Sequence, residues 1–574
     1  MERHRAAYLL CALGLFASSL SGLLVPWMIR EAIDSLSRPG GAGGLVRAVS
    51  WMLLFAALHA GFRYVSRRGL LITARHVELE LRHDLFSHVI RLPVSFFGRT
   101  ATGDVMSRLT NDISAIWLFL GPGILTLTGT AISYLLALAF MVRISPVLTA
   151  VALVLAPAVV LLSRSYGKAF HRLHRKGQES FAAMNSLLQE NITGIRLVKT
   201  YGLEEREERR FRGSCEEYYR VNISVSKTSA AFHGGIGFLA GGGVALVLLL
   251  GGWLVIRGQL TLGGFVAFNA YLAMLSFPTM ALGWVINLFQ RAGSATGRIH
   301  EFLATPSEPE EAGPAEPPPH GREVPLLEIR DLSFLYEGET RGETLRGVTF
   351  SVGPGEVVGL VGQTGSGKST LLSLILRLYP APPGKIFLRG RDAAGIPLAE
   401  LRRSIRLVAQ DPFLFSDTVL ENICFGLEKP DAEAARRAAS LARLLAEIEE
   451  MPAGMDTVIG ERGLTLSGGQ KQRAAVARAL CAGGELLLLD DILSAVDSET
   501  EREIFEGILS LRGERTVLFS THRMASLSRC DRVLVMREGR IVEQGTHEQL
   551  FALGGEYFDL YSRQMLVREL EASP

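Results

Sequence analysis

An apolar run, Val357–Val361, leads straight into Gly362-Gln363-Thr364-Gly365-Ser366-Gly367-Lys368-Ser369, and an apolar helical stretch follows from Thr370. The spacing G-x-x-x-x-G-K-[ST], set between a strand and a helix, reads as a phosphate cradle. Its glycines let the backbone turn tightly so that amide N–H groups point inward, and the helix N-terminus adds to the attraction. Lys368 would reach the β- and γ-phosphates of a nucleotide, and the Ser369 hydroxyl would hold Mg2+. A glycine-rich turn matching by chance would not need the strand before it and the helix after it.

Further on, the apolar strand-like run Leu486–Leu489 ends in Asp490, a carboxylate suited to the same Mg2+ shell. Alone such a run says little; downstream of a phosphate cradle it carries weight. Between the two lies Leu466-Ser467-Gly468-Gly469-Gln470, opening a helix through Lys471–Leu480 and forming a second phosphate-binding N-terminus. Two such sites on opposite faces of one chain cannot hold the same γ-phosphate. That pattern points to a dimer that sandwiches nucleotide.

The elements that must carry these groups are soluble α/β structure. Strand-like runs Val357–Val361, Ile405–Val408, Leu486–Leu489 and Val517–Ser520 alternate with helical stretches, without an internal repeat. The rest of the chain is different in kind. Apolar runs of bilayer-spanning length occur only before about residue 290: Ala7–Ile29, Leu45–Val65, Trp117–Val142, Ile144–Tyr166, Gly234–Ile256 and Phe265–Leu288. Each is near the roughly 20 residues needed to cross a bilayer core. Buried core helices seldom run so long with charge only near their ends. The first, preceded by Arg3 and Arg5, resembles a signal peptide but is too long, and it reads as a span that stays.

Composition agrees with this division. The 574 residues are 48% hydrophobic and 21% charged, with a mean hydropathy of +0.24, an average over two unlike halves. Sixty Lys and Arg against 58 Asp and Glu leave a net charge of +2, which lacks the basic excess of a nucleic-acid binder. Five scattered Cys argue against a disulfide scaffold or a zinc cluster and fit a reducing compartment.

The connections between spans are uneven. Those around Arg143–Pro146 and Arg257–Gly264 are short; those from Arg63 to Arg108 and from Arg164 to Lys227 are long, rich in Arg and Lys, and helical in pattern. The excess of positive charge places the long ones in the cytoplasm with both termini. About 20 extra helical residues reach on the order of 30 Å beyond the bilayer, so these stalks must meet something there. A Pro- and Glu-rich stretch, Thr305–Pro325, then reads as an exposed linker. The expected organisation is a membrane domain over 1–304, a linker over 305–325 and a nucleotide-binding domain over 326–574.

With LSGGQ lying between the Gly362–Ser369 loop (Walker A) and Asp490 (Walker B), the chain resembles an ATP-binding-cassette exporter half-transporter over essentially its full length. The resemblance implies a six-span α-helical membrane domain followed by an α/β P-loop domain with a small antiparallel β subdomain and a helical subdomain. It implies ATP and Mg2+ as ligands, held along Gly362–Thr370. Tyr336 matches the residue that stacks on adenine. Gln410 matches the Q-loop residue that touches Mg2+ with Ser369 and Asp490. Asp497 matches the D-loop, His522 the switch histidine that contacts γ-phosphate, and Ser467, Gly468, Gly469 and Gln470 the signature that completes a partner's site. Gly460-Glu461-Arg462-Gly463 resembles the exporter-specific loop. Phe96–Asp112 and Glu190–Leu203 resemble the segments around the two coupling helices, so that the stalks dock on nucleotide-binding domains.

One position departs from the family. After the Walker-B aspartate the family normally has Glu, which polarises the attacking water; here stands Asp491. Asp is one methylene shorter, and a carboxylate drawn back by roughly 1 Å can cost on the order of 100-fold. Either the backbone compensates and Asp491 catalyses normally, or the site is degenerate and the chain is one half of a heterodimer whose partner carries the Glu. Two functions follow: ATP-driven export of hydrophobic or amphipathic substrates across a bacterial inner membrane, or an ATP-binding regulatory subunit with little transport of its own. Asn269, Tyr271, Trp284, Asn287 and Gln290 either line a substrate cavity or serve as helix–helix contacts and interfacial anchors.

Overall fold

The protein is described by a computed structural model covering residues 4–36, 42–308, 324–336, 342–460, 466–492 and 498–572. Its contacts divide it into two units, Met1–His88 with Gly103–Ala304, and Val89–Thr102 with Thr305–Pro574.

Up to Ala304 the elements among the described residues are all helices: α1 (Arg5–Leu36), α2 (Ala42–Val89), the short α3 (Val94–Arg99), α4 (Thr102–Ile144), α5 (Pro146–Thr193), the short α6 (Ile195–Tyr201), α7 (Glu204–Ile256) and α8 (Leu262–Leu303). By length and composition, α1, α2, α4 and α7 are long and apolar enough to cross a membrane. The other two expected spans lie on α5 and α8, also long helices. Only 6% of the apolar window of α2 is buried by the chain itself, so lipid or another chain must cover the rest.

The stalks are continuations of these helices. At 48 and 53 residues, α5 and α7 are each roughly 70–80 Å long, far more than a bilayer requires. The helical continuation of α2 stops at Val89, because Pro93, at φ −65° and ψ 150°, cannot extend a helix behind it. Helix α4 holds two π turns, Arg108–Asp112 and Phe119–Gly123, the second around Pro122, which has no N–H to give the ladder. The first π turn presents Asp112, which accepts a forked pair from Arg298 of α8. Tyr271 is fully buried, and its hydroxyl donates to the Leu23 carbonyl at 2.6 Å. Of the two readings for that residue, the helix–helix contact is the one observed.

The second unit begins with an antiparallel sheet ordered β2-β1-β4-β5, from β1 (Leu327–Phe334), β2 (Leu345–Val352), β4 (Ile386–Leu388) and β5 (Arg391–Asp392). The larger sheet is ordered β10-β9-β3-β8-β7-β6. Its strands are β3 (Val357–Val361), β6 (Ile405–Val408), β7 (Leu486–Asp490), β8 (Thr516–Thr521), β9 (Arg532–Arg537) and β10 (Arg540–Gly545). All pair in parallel except β10, which runs antiparallel on the edge. β3 and β7 are buried at every residue, the uniform burial of a parallel strand covered on both faces. Helices α9 (Lys368–Ile375) and α10 (Leu398–Ser404) precede β6. The segment α11 (Val419–Ile423), α12 (Ala432–Leu441), α13 (Leu445–Glu449) and α14 (Gly468–Cys481) lies between β6 and β7. Then come α15 (Ser498–Leu509), α16 (Met524–Leu527), α17 (His547–Leu553) and α18 (Glu556–Ala572).

Val89–Thr102, although it interrupts the membrane half in sequence, groups with this unit. Glu308 N–H donates to the Arg91 carbonyl at 2.8 Å, and its carboxylate accepts from both Arg402 terminal nitrogens at 2.9 and 3.1 Å.

Candidate functional site

The phosphate loop follows from strand β3 being forced to turn into α9 within a few residues. At Gly362 an added Cβ would stand 2.1 Å from the Met536 carbonyl oxygen, so no side chain fits. Gly367 has φ +102° and faces Leu345 and the Thr344 carbonyl, a conformation and a gap that glycine alone suits. The Lys368 ammonium is folded into the loop, donating to the carbonyls of Gly362 (2.8 Å) and Gln363 (3.0 Å). Burial pushes it below the ordinary lysine range, and the carboxylates of Asp490 and Asp491 push it back up.

The two carboxylates at the end of β7 differ. Asp490 is 8% exposed and accepts the Ser520 hydroxyl at 2.6 Å. Asp491 sits just past the strand at φ +45°, a left-handed conformation costly for a side chain with a Cβ. Two bonds hold it there: its N–H donates to the carbonyl and the hydroxyl of Ser520, both at 3.1 Å. Its carboxylate Oδ1 lies 2.9 Å from His522 Nδ1. That bond pushes the imidazole above its ordinary pKa, against burial and the neighbouring Arg523 and Lys368.

A cavity of about 610 Å³ gathers Gly362, Gln363, Thr364, Gln410, Asp491 and His522, with Met524, Leu560, Arg563 and Gln564 completing its wall. The first six are sites read from the sequence. The last four were not: no motif spacing ties Leu560, Arg563 and Gln564 of α18 to the phosphate loop, and Met524 opens α16 outside any motif. Tyr336 lies beside the start of α9: its hydroxyl donates to Thr370 Oγ1 at 3.0 Å, and its ring meets Phe334 and Tyr379 edge-on.

Among the described residues lining this cavity, none belongs to Ser467–Gln470. Ser467 caps α14 and accepts from Gln470 N–H at 3.2 Å, while Gln470 Oε1 accepts from Ser467 N–H at 2.8 Å. The Gln470 amide also donates to Glu447 at 2.7 Å. Gln470 is therefore held by its own cap and by Glu447 of α13. Asp497 and the residues 461–463 of the exporter-specific loop lie outside the described residues.

Among the described residues no group of three or more His, Cys, Asp or Glu side chains could hold a metal. A hydroxyl (Ser369), an amide oxygen (Gln410) and a carboxylate (Asp490) are hard oxygen donors of the kind Mg2+ takes alongside nucleotide phosphates. The donor set fits a Mg2+ that arrives with its nucleotide.

Residues 8–279 match the family model described as the ABC transporter transmembrane region, and residues 345–494 match the one described as ABC transporter. The chain is 35% identical over 554 residues to the multidrug resistance-like ATP-binding protein MdlA of Escherichia coli, across 96% of this chain and 93% of that one. The chain belongs to the ABC transporters. It is also 35% identical to an ATP-dependent lipid A-core flippase of Methylococcus capsulatus, across 91% of this chain and 86% of that one. The solved structure of a bacterial Atm1-family ABC exporter with ATP bound superposes with a TM-score of 0.78 at 26% identity, covering 98% of both chains. This ABC transporter has the exporter fold, a helical transmembrane domain followed by a nucleotide-binding domain. It is a multi-pass membrane protein whose ATPase domain couples ATP hydrolysis to transport.

Proposed function

We propose that this chain is one subunit of an ATP-driven exporter of hydrophobic or amphipathic substrates, paired with a different half-transporter that carries a Walker-B Glu. In this reading all six long helices cross the bacterial inner membrane, and the nucleotide-binding domain, over 326–574, works in the cytoplasm. The multidrug-type and lipid-type names of its relatives support the substrate class.

The observation that carries the asymmetry is Asp491. Its backbone is fixed in the left-handed region, and its short carboxylate is drawn onto His522 at 2.9 Å. A general base must reach the water it activates at about 2.6–3.2 Å. With one methylene fewer than Glu and one of its two carboxylate oxygens on the imidazole, Asp491 makes a poor base. The site built from this chain's Gly362–Thr370 loop then keeps ATP longer than it cleaves it. The intact Ser467–Gln470 signature completes the partner's faster site. Lys368 and the loop amides hold the phosphates. Ser369, Gln410 and Asp490 would hold Mg2+, which would supply charge neutralisation of the phosphates when bound.

Conversion of ATP binding into transport runs through Gln410. Gln410 lines the nucleotide cavity, and its neighbours Val408, Ala409 and Asp411 line a second cavity of about 490 Å³ with the exposed rings of Phe413, Phe415 and Phe425. Phe415 and Phe425 stack at 4.7 Å between centroids. The counterpart of α6 in the second half-transporter is the occupant we assign to this groove, and this chain's own α6, with Ile195, Leu197 and Tyr201 exposed, would fill the equivalent groove of that partner. Closing of the nucleotide sites then pulls on the membrane helices through α6 and α3.

The test is co-purification of the full chain from its native membrane, identification of the second subunit by mass spectrometry, and uptake of an amphipathic dye into inside-out vesicles. Uptake that needs ATP, Lys368 and the second subunit is expected. Uptake without ATP overturns the export reading. ATPase of the pair without any transported or stimulating compound favours the regulatory subunit instead.

A further inference from the structure

The loop that carries His522 leaves β8 at Thr521 and enters the four-residue helix α16 at Met524. Its backbone groups lie beyond the sheet and before any full helical turn, so other partners must satisfy them. Helix α18, far along the chain, provides them. Gln564 Oε1 accepts from Met524 N–H at 2.6 Å, and Gln564 Nε2 donates to the His522 carbonyl at 3.3 Å. A backbone N–H only donates and a carbonyl only accepts, which fixes which end of the amide faces which group. The side chain thus bridges two residues of the loop, as a neighbouring strand would.

A second helix, α15, also holds the loop. Glu501, 3% exposed, accepts from the Arg523 guanidinium and from the Ser526 hydroxyl. Gln564 thus pins the loop's main chain and Glu501 its flanking side chains, while the His522 side chain is 55% exposed and turned to Asp491. Gln564 lines the same cavity as Gly362, Gln410 and Asp491, but both ends of its amide are occupied by the loop.

We infer that Gln564 is a positioning residue for ATP hydrolysis, setting the height and direction of the His522 imidazole through the backbone on either side of it. This rests on the reading of His522 as the switch histidine. It gives α18 a task in the site: displacing that helix moves the imidazole, without touching the nucleotide itself. A shift of about 1 Å in such a group costs on the order of 100-fold in rate, whereas the phosphate loop, on β3 and α9, stays in place.

The experiment uses the purified full-length chain, with hydrolysis of γ-labelled ATP followed at its own slow site and Kd for a fluorescent ATP analogue measured in parallel. Gln564→Glu keeps the acceptor for Met524 but turns the donor facing the His522 carbonyl into a repelling oxygen. It is expected to lower kcat about 10-fold or more with KM and Kd changed less than about twofold. His522→Ala is expected to show a similar loss, and adding Gln564→Glu to it no further loss, because two residues acting through one group are not additive. If the carboxylate prevents folding, Gln564→Met, of similar length and with neither hydrogen bond, is expected to give the same pattern. Unchanged kcat in the Gln564 variant beside a slow His522→Ala overturns the inference alone. An equal further loss on top of His522→Ala, or a weakened Kd, also overturns it and makes Gln564 a general support of the fold. Unchanged hydrolysis in His522→Ala overturns the switch reading and the inference with it.

Discussion

Asp491 Oδ1 lies 2.9 Å from His522 Nδ1, on the far side of a backbone turn held at φ +45°. The pair joins the end of β7 to the end of β8, adjacent parallel strands in which Asp490 stands opposite Ser520. Whatever the site does to ATP passes beside this contact.

The first prediction concerns pH. The Asp491 carboxylate raises the His522 pKa above the unfolded value of about 6.5. A raised folded pKa means that the pairing adds stability in full below about pH 6.5 and that this addition is lost as pH rises through the raised value. The difference in Tm between the wild-type chain and Asp491→Asn is therefore expected to be largest at acid pH and to shrink toward zero on the alkaline side. Thermal melts across pH 5.5–9, on the order of that window, check the sign; a difference growing with pH would contradict it.

Lys368 is expected to bind nucleotide directly. Its ammonium already holds two loop carbonyls at 2.8 and 3.0 Å, and hydrogen bonds from charged groups contribute about 1.5–3 kcal/mol. Lys368→Ala should weaken ATP binding about 10- to 100-fold while leaving the fold intact, measured by titration of the fluorescent analogue.

Gly362 and Gly213 offer a matched pair of substitutions. A Cβ at Gly362 would meet the Met536 carbonyl at 2.1 Å, whereas one at Gly213, on helix α7, meets nothing within 4 Å. Gly362→Ala should cost about 1–3 kcal/mol and abolish ATP binding. Gly213→Ala should leave binding untouched and stabilise its helix by about 0.5–1 kcal/mol. Melting and ATP titration of both variants would show it.

The nucleotide site was largely legible before the structure because its motifs are local. Gly362–Ser369, Asp490 and His522 each sit at the end of a strand, and an apolar run announces each strand. The groups that brace the site were not legible. Gln564 and Glu501 reach the His522 loop from two different helices, α18 and α15, and neither residue type nor spacing marks them. The same holds for Asp491 and His522, 31 residues apart, which meet only because β7 and β8 are neighbours. In the membrane half, apolar length announced the helices, but not the π turn that carries Asp112 to Arg298 or the grouping of Val89–Thr102 with the nucleotide-binding unit. Those depend on packing between distant elements, which periodicity does not encode.

The most direct test of the account is steady-state ATPase of the reconstituted pair carrying Asp491→Asn in this chain. The account predicts a rate within about twofold of the unaltered pair, because a carboxylate that is a poor base from the start has little to lose. Replacing the partner's Walker-B Glu by Gln should abolish that rate. Loss of the pair's ATPase in Asp491→Asn, or fast hydrolysis by a verified homodimer of this chain that Asp491→Asn abolishes, would contradict it.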